Sequence, residues 1–232
     1  TTQIDPAGDL VTILDGNREC DPASADAETV RYGVRDRVHK LEIAPITADR
    51  AVIVKSEDTF IVPPGGTVTA FVGSPIWVRV QLASPLRPLH EVPTQRPSDT
   101  WFGPSTLEGE ICYAVRTSVR YNLENVPVRP DRVVSVVHVI NRADSPLPLA
   151  RLRLPLPHLS LYASGDGRLW TESVTLDRQQ HGDLAEIKLG KSAPREAGEC
   201  VHVSGPREKL DKRTLIRSVT GLLGPDRRKE WL

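Results

Sequence analysis

No methionine occurs anywhere in the 232 residues, so Leu, Val and Ile must fill whatever core the chain builds. Aromatic residues are scarce as well, at 5%. Charge of neither sign is in excess: 30 Lys and Arg balance 30 Asp and Glu. A chain with no net charge has no global field to draw in a polyanion, and no nucleic-acid partner is expected. No apolar run approaches the roughly 20 residues a bilayer-spanning helix needs, so membrane insertion is not expected. Three cysteines, Cys20, Cys112 and Cys200, are an odd number at wide spacing. That is neither a disulfide framework nor the paired spacing of a structural zinc site. No basic start followed by an apolar run marks a signal peptide, and a soluble, cytoplasmic protein is the expectation.

Also missing are the phosphate-cradling GxxxxGK, the dinucleotide GxGxxG and the GxSxG of serine hydrolases. Sequence pattern therefore calls for no cofactor and assigns no catalytic residue.

What the chain does contain is punctuation. Twenty prolines and 16 glycines divide it into short runs rich in Val, Ile, Thr and Leu, the residues that suit strands. The Pro63-Pro64-Gly65-Gly66 turn separates a strand ending near Val62 from one starting at Thr67. "PIWVRVQL" (75–82) alternates apolar residues against Trp77, Arg79 and Gln81, as a half-buried strand does. "RVVSVVHVIN" (132–141) is the most β-branched run. On a sheet edge it would favour pairing into a dimer. About ten to twelve strands with regular turn signals predict an all-β, mainly antiparallel fold, a β-sandwich or two packed β-sheets.

The spacing also predicts one C-terminal helix, with Leu210, Leu215, Ile216, Val219, Leu222 and Leu223 at helix-like intervals and a stop at Gly224-Pro225. The expected organisation is an N-terminal β half (1–82), a proline-rich connection (83–100), a C-terminal β half (101–206), and the helix and tail (207–232). The alternative expectation is that these parts form one continuous domain.

The most pointed stretch is "WFGPSTLEGEICYAVRTSVRY" (101–121). On a strand, Glu108, Glu110 and Cys112 share a face, as a general acid, a base and a nucleophile would. Cysteine nucleophiles need an activating base, and no His lies within ten residues. The plainer reading is a turn set by Gly103, Pro104 and Gly109, with the acids in water and Cys112 in the core. In "CVHV", Cys200 and His202 share a strand face, with His138 the weak third candidate for a metal site, yet no HxH or HxxxH spacing supports one. A carbohydrate platform needs Trp77, Trp101 or Trp170 exposed on a common surface, and burial of all three would end that reading.

The segments 60–82 ("FIVPPGGTVTAFVGSPIWVRVQL"), 101–121 and 151–176 ("RLRLPLPHLSLYASGDGRLWTESVTL") together resemble domain of unknown function family 432, a family of archaeal and bacterial proteins. The likeness spans about residues 50–205 and departs at Ala114, where a basic residue is expected after "IC". It implies a prokaryotic β protein and carries no activity or catalytic residue with it.

Three functional expectations follow. The first is a non-catalytic protein-interaction or assembly module that binds another protein or its own copy. The second is a small-ligand or metal-binding protein or enzyme, with a site near Glu108, Glu110, Cys112, Cys200 and His202. The third is a carbohydrate-binding module.

Overall fold

The computed structural model describes residues 2–4, 10–15, 28–33, 40–103, 107, 109–115, 119–180, 184–210 and 216–218. Their β-branched runs become strands, in chain order β1 (Thr2–Ile4), β2 (Leu10–Asp15), β3 (Glu28–Gly33), β4 (Leu41–Ile46), β5 (Val52–Val62) and β6 (Thr67–Pro75). Next come β7 (Trp77–Ala83), β8 (Leu86–Pro93), β9 (Ser98–Phe102), β10 (Glu110–Val115), β11 (Arg132–Asn141) and β12 (Leu147–Leu154). The last are β13 (Leu161–Ser164), β14 (Leu169–Trp170), β15 (Val174–Arg178), β16 (Leu184–Leu189), β17 (Cys200–Ser204) and β18 (Ile216–Ser218). The fold is all-β, and three short 3₁₀ turns are the only helical elements among the described residues.

Two compact units interleave in sequence. One takes Thr1–Pro45 and Trp77–Val92, the other Ile46–Ile76 and Pro93–Leu232. The first holds the antiparallel meander β1-β2-β3 and the sheet β4-β7-β8. Its apolar cluster is Val80 and Leu82 with Tyr32, Leu41 and Leu89 around them. Proline-rich 83–100, expected as a connecting loop, is instead largely β8 and the start of β9. Its prolines mislead because β8 is a sheet edge, where an outward-facing Pro nitrogen costs no ladder bond.

The second unit holds a four-stranded sheet, β12-β5-β10-β9, and an eight-stranded one. Most pairings are antiparallel; β10 with β5, and β11 with β14 and β15, run parallel. In the larger sheet β11 is central, contrary to the edge role that would have made it a dimer strand. β6 pairs along one side of it from Pro75 to Thr67, and β14 and β15 pair in line along the other. Both faces of β11 are buried. Val134 and Val136 pack with Phe71, Val126 and Trp170, while Val133 packs with Ile76 and Leu161. A strand covered on both faces reads as a continuous β-branched run, which is why its sequence looks so apolar.

Between β14 and β15 the register on β11 advances by one residue, and the chain bulges over Thr171–Ser173. Outward from this bulge the sheet forks: β13 and β17 continue from β14, and β16 and β18 from β15.

β18 lies in the middle of the predicted C-terminal helix, so that expectation fails there: Ile216–Ser218 pairs with Glu186–Leu184. Thr214, Ile216 and Val219 are β-branched, and the unfilled edge of β16 satisfies backbone groups that a short helix would have had to satisfy alone. The described start of that segment, 207–210, is likewise not helical, and the rest of the predicted helix lies outside the described residues.

Candidate functional site

The described part of the stretch 101–121 includes the end of β9 and all of β10. β9 and β10 pair antiparallel, with Trp101 opposite Ile111 and Thr100 opposite Cys112. A Cβ on Gly109 would come within 2.7 Å of the Trp101 indole and 2.8 Å of the Phe102 carbonyl oxygen. Glycine is therefore required where the indole lies on the backbone, rather than to open a catalytic mouth. Trp101 stays 45% exposed and Ile111 54%, and Leu107 beside them is more exposed still.

The predicted site residues separate. Glu110 forms an ion pair with Arg153, Nε to Oε1 at 2.5 Å, and the guanidinium is almost wholly buried. Glu108 lies outside the described residues. Cys112 has 0% exposure and packs among Ala51, Ile53 and Phe102, so no substrate reaches its sulfur. Cys200 sits in the other sheet, against the cluster of Phe71, Val134 and Trp170. Its Sγ donates to the Ala197 carbonyl at 3.6 Å. Burial and then the charge of Asp166 push its thiol above the usual cysteine range, the reverse of an activated thiolate.

His202 is exposed and meets the Tyr162 ring edge-on, centroids 5.5 Å apart. His138 lies on the same face of that sheet but shares no ion with it. The row Val134–Trp170–Tyr162–His202 puts His202 three strands over and four residues along from His138. At ~4.8 Å per strand and ~3.3 Å per residue the two are roughly 20 Å apart. His138 Nδ1 instead sits 3.1 Å from Thr69 Oγ1. Among the described residues, no three His, Cys, Asp or Glu side chains gather as metal ligands would.

Of the three tryptophans weighed as a carbohydrate platform, Trp77 and Trp170 are core residues, 5% and 1% exposed, and Trp101 alone of the three reaches solvent. Large aromatic rings repay burial more than any other side chain, and Trp170 keeps its polar atom satisfied by donating to Ser164 Oγ at 2.9 Å.

Beside the exposed Trp101–Ile111 pair lies a polar cluster that sequence reasoning missed. Tyr113, opposite Asp99 on β9, donates its hydroxyl to Asp49 at 2.9 Å. The Arg50 guanidinium sits 5.3 Å over the Tyr113 ring and donates to Asp99 at 3.2 Å. Burial, reinforced by Asp49, raises the Tyr113 phenol to about 12. Period-2 alternation already placed Ile111 and Tyr113 on one face of β10. What it lacked was the neighbour, since Asp49 and Arg50 arrive from just before β5.

A second polar knot fills the fork of the large sheet. Glu172, nearly buried, accepts the Ser160 backbone N–H at 2.6 Å and the Tyr162 hydroxyl at 3.3 Å. Burial and the Glu172 charge raise the Tyr162 phenol. At the β13–β14 hairpin, Asp166 is held below the usual carboxylate range by Ser164 and by Arg168. Glu172 holds the Ser160 backbone, and Asp166 accepts from the Arg168 backbone N–H in the hairpin.

No helix among the described residues is long and apolar enough to cross a membrane. No curated protein and no solved structure matches the chain. A family model matches residues 14–223, nearly its whole length and more than the segments that carried the resemblance. The chain belongs to the family described as "Protein of unknown function (DUF432)".

Proposed function

We propose that this chain is a non-catalytic interaction module, which binds a protein partner or its own copy through the β9 edge of the four-stranded sheet. One observation carries the proposal: Trp101 on the terminal strand β9 and Ile111, directly paired with it from the adjoining strand β10, are both about half exposed. Natural sheets guard their edges with charge, proline or a covering segment, because an open edge offers unpaired N–H and C=O groups to another chain. An aromatic and a β-branched side chain kept at such an edge fit a surface that is covered when the protein works. The burial of Cys112 weighs against cysteine catalysis at this corner, and the raised thiol of Cys200 weighs against it in the other sheet.

The test compares proteins cross-linked in cells to the wild-type chain and to a Trp101→Asp, Ile111→Asp variant, both verified as folded by circular dichroism. Loss of specific partners, or of self-association, in the variant supports the proposal. An unchanged set of cross-links overturns it.

A further inference from the structure

The interaction proposal can be taken to a particular partner. We infer that β9 pairs antiparallel with β9 of a second copy of this chain, about a two-fold axis at Thr100. This rests on β9 being the working edge, and it follows from which registers that edge permits.

β9 ends its sheet, and among the described residues its one strand partner is β10. An isologous contact brings the strand against itself, residue i to residue j and j to i. Side chains alternate between faces with a period of two. Only registers that pair odd with odd and even with even keep Trp101 and Asp99 of both copies on one continuous face.

Three such registers pair more than a single residue of the strand with its copy. Centred on Asp99, the two carboxylates oppose each other, and like charges directly across an antiparallel pair repel. Centred on Trp101, the overlap is limited to Thr100–Phe102, and Ser98 and Asp99 lose their partners. Centred on Thr100, all five residues of Ser98–Phe102 are paired.

That last register also matches charge to aromatic surface. Asp99 of each copy falls opposite Trp101 of the other. Asp99 already holds the Arg50 guanidinium, which lies over the Tyr113 ring. Pairing therefore sets each Arg50 beside a second ring, the indole of the other copy, where a cation over an aromatic face is favoured. The exposed tryptophan is covered without placing it against bare charge, and both strand edges are satisfied.

The register makes a test sharper than oligomeric state alone. In a Cys20→Ser, Cys112→Ala, Cys200→Ser background, which removes the thiol that lies opposite Thr100 on β10 and would otherwise compete within one chain, Thr100→Cys puts two thiols on the axis. Directly opposed Cα atoms lie about 4.5–5.5 Å apart, within disulfide range. Ser98→Cys is the control, because its copies fall opposite Phe102 and lie at least ~13 Å from each other. The expected result is a native mass of twice the 25.6 kDa chain, with mild oxidation giving a covalent dimer from Thr100→Cys and none from Ser98→Cys. A dimer that fails to cross-link at Thr100, or cross-links equally at Ser98, overturns the β9 axis. A chain that stays monomeric overturns self-pairing. If that monomer still loses its cellular cross-links on Trp101→Asp, the broader interaction proposal survives, so the two failures are told apart.

Discussion

Glu172 Oε2 accepts the backbone N–H of Ser160 at 2.6 Å, so a side chain supplies a bond that a neighbouring strand would otherwise make. This happens where the eight-stranded sheet forks, as β13 leaves β14 and before β16 joins β15. Both residues are buried, and an orphaned N–H there would have no water to turn to. Glu172→Ala is expected to destabilise the protein by about 1–3 kcal/mol, the cost of a buried donor left unsatisfied. Glu172→Gln keeps an acceptor and should cost less, under about 1 kcal/mol. Urea unfolding of the three proteins measures both; equal losses would show that the acceptor is not what matters.

Gly109→Ala tests the seat of Trp101. The added methyl carbon would sit 2.7 Å from the indole and 2.8 Å from the Phe102 carbonyl oxygen, and the second of these cannot swing away. Overpacking of this kind typically costs about 1–3 kcal/mol. The variant should also show a changed tryptophan fluorescence maximum, because the displaced ring is 45% exposed to solvent. A variant as stable as wild type, with an unchanged spectrum, would mean that the ring does not rest on this glycine in solution.

Much of the strand pattern was legible in local chemistry. The turn at Pro63–Gly66 sits where Pro and Gly require it, with β5 ending at Val62, β6 starting at Thr67 and Gly65 at φ +68°. The run 132–141 is β11, residue for residue. Position within a sheet was not legible. A β-branched run looks the same at an edge or a centre, and β8 looked like a loop because an edge strand tolerates proline. Ile216–Ser218 followed the open edge of β16 rather than its helical spacing, a choice made by a partner distant in sequence. The candidate site shows the same limit. Face parity correctly put Glu110 with Cys112, and Cys200 with His202, yet parity cannot say which sheets those strands join. The contacts that define each place, Glu110 with Arg153 and Tyr113 with Asp49, join residues far apart in the chain.

Tyr113 gives a pH prediction. Its phenol is raised from 10.0 to about 12 by burial and by the hydrogen bond it donates to Asp49. Above pH 10 the unfolded chain loses this proton while the folded one keeps it, so stability falls as pH rises. The contribution is complete below pH 10 and is lost on the way to about 12. Phenolate absorbance should show a transition near that upper value that disappears in Tyr113→Phe. Asp49→Asn should move it down toward the ordinary tyrosine range. A transition left in place by Asp49→Asn would remove Asp49 as a cause.

The two described cysteines should differ sharply toward a thiol reagent. Cys112, with no exposed surface, reacts only through opening of the structure, so denaturant should accelerate its labelling by orders of magnitude. Cys200 is reachable but protonated, because burial and Asp166 raise its thiol. In a Cys20→Ser background, native protein should label slowly at one sulfur, and faster as pH rises. Asp166→Asn should speed that labelling at fixed pH by removing a nearby negative charge. Rapid labelling of Cys112 in native protein would mean that its strand opens readily.

The ion pair of Arg153 with Glu110 separates a stabilising contact from a merely obligatory one. The guanidinium is 8% exposed and the carboxylate 33%, so the two partners do not depend on each other equally. Glu110→Gln strands a buried cation, and breaking a buried pair from one side costs about 3–5 kcal/mol. The lower end is expected here, because water reaches part of the site. Arg153→Met strands a carboxylate that solvent can still hydrate, while the new side chain fills the space once taken by the arginine stem, so this change should cost less. With both substitutions no charge remains, and the double variant should lie near wild type, because the pair's attraction and the desolvation of its members largely offset. A double-mutant cycle on unfolding free energies measures the coupling directly. If Glu110→Gln costs no more than Arg153→Met, the cation is better hydrated than its burial indicates, and the pair sits at a wetter face of the sheet.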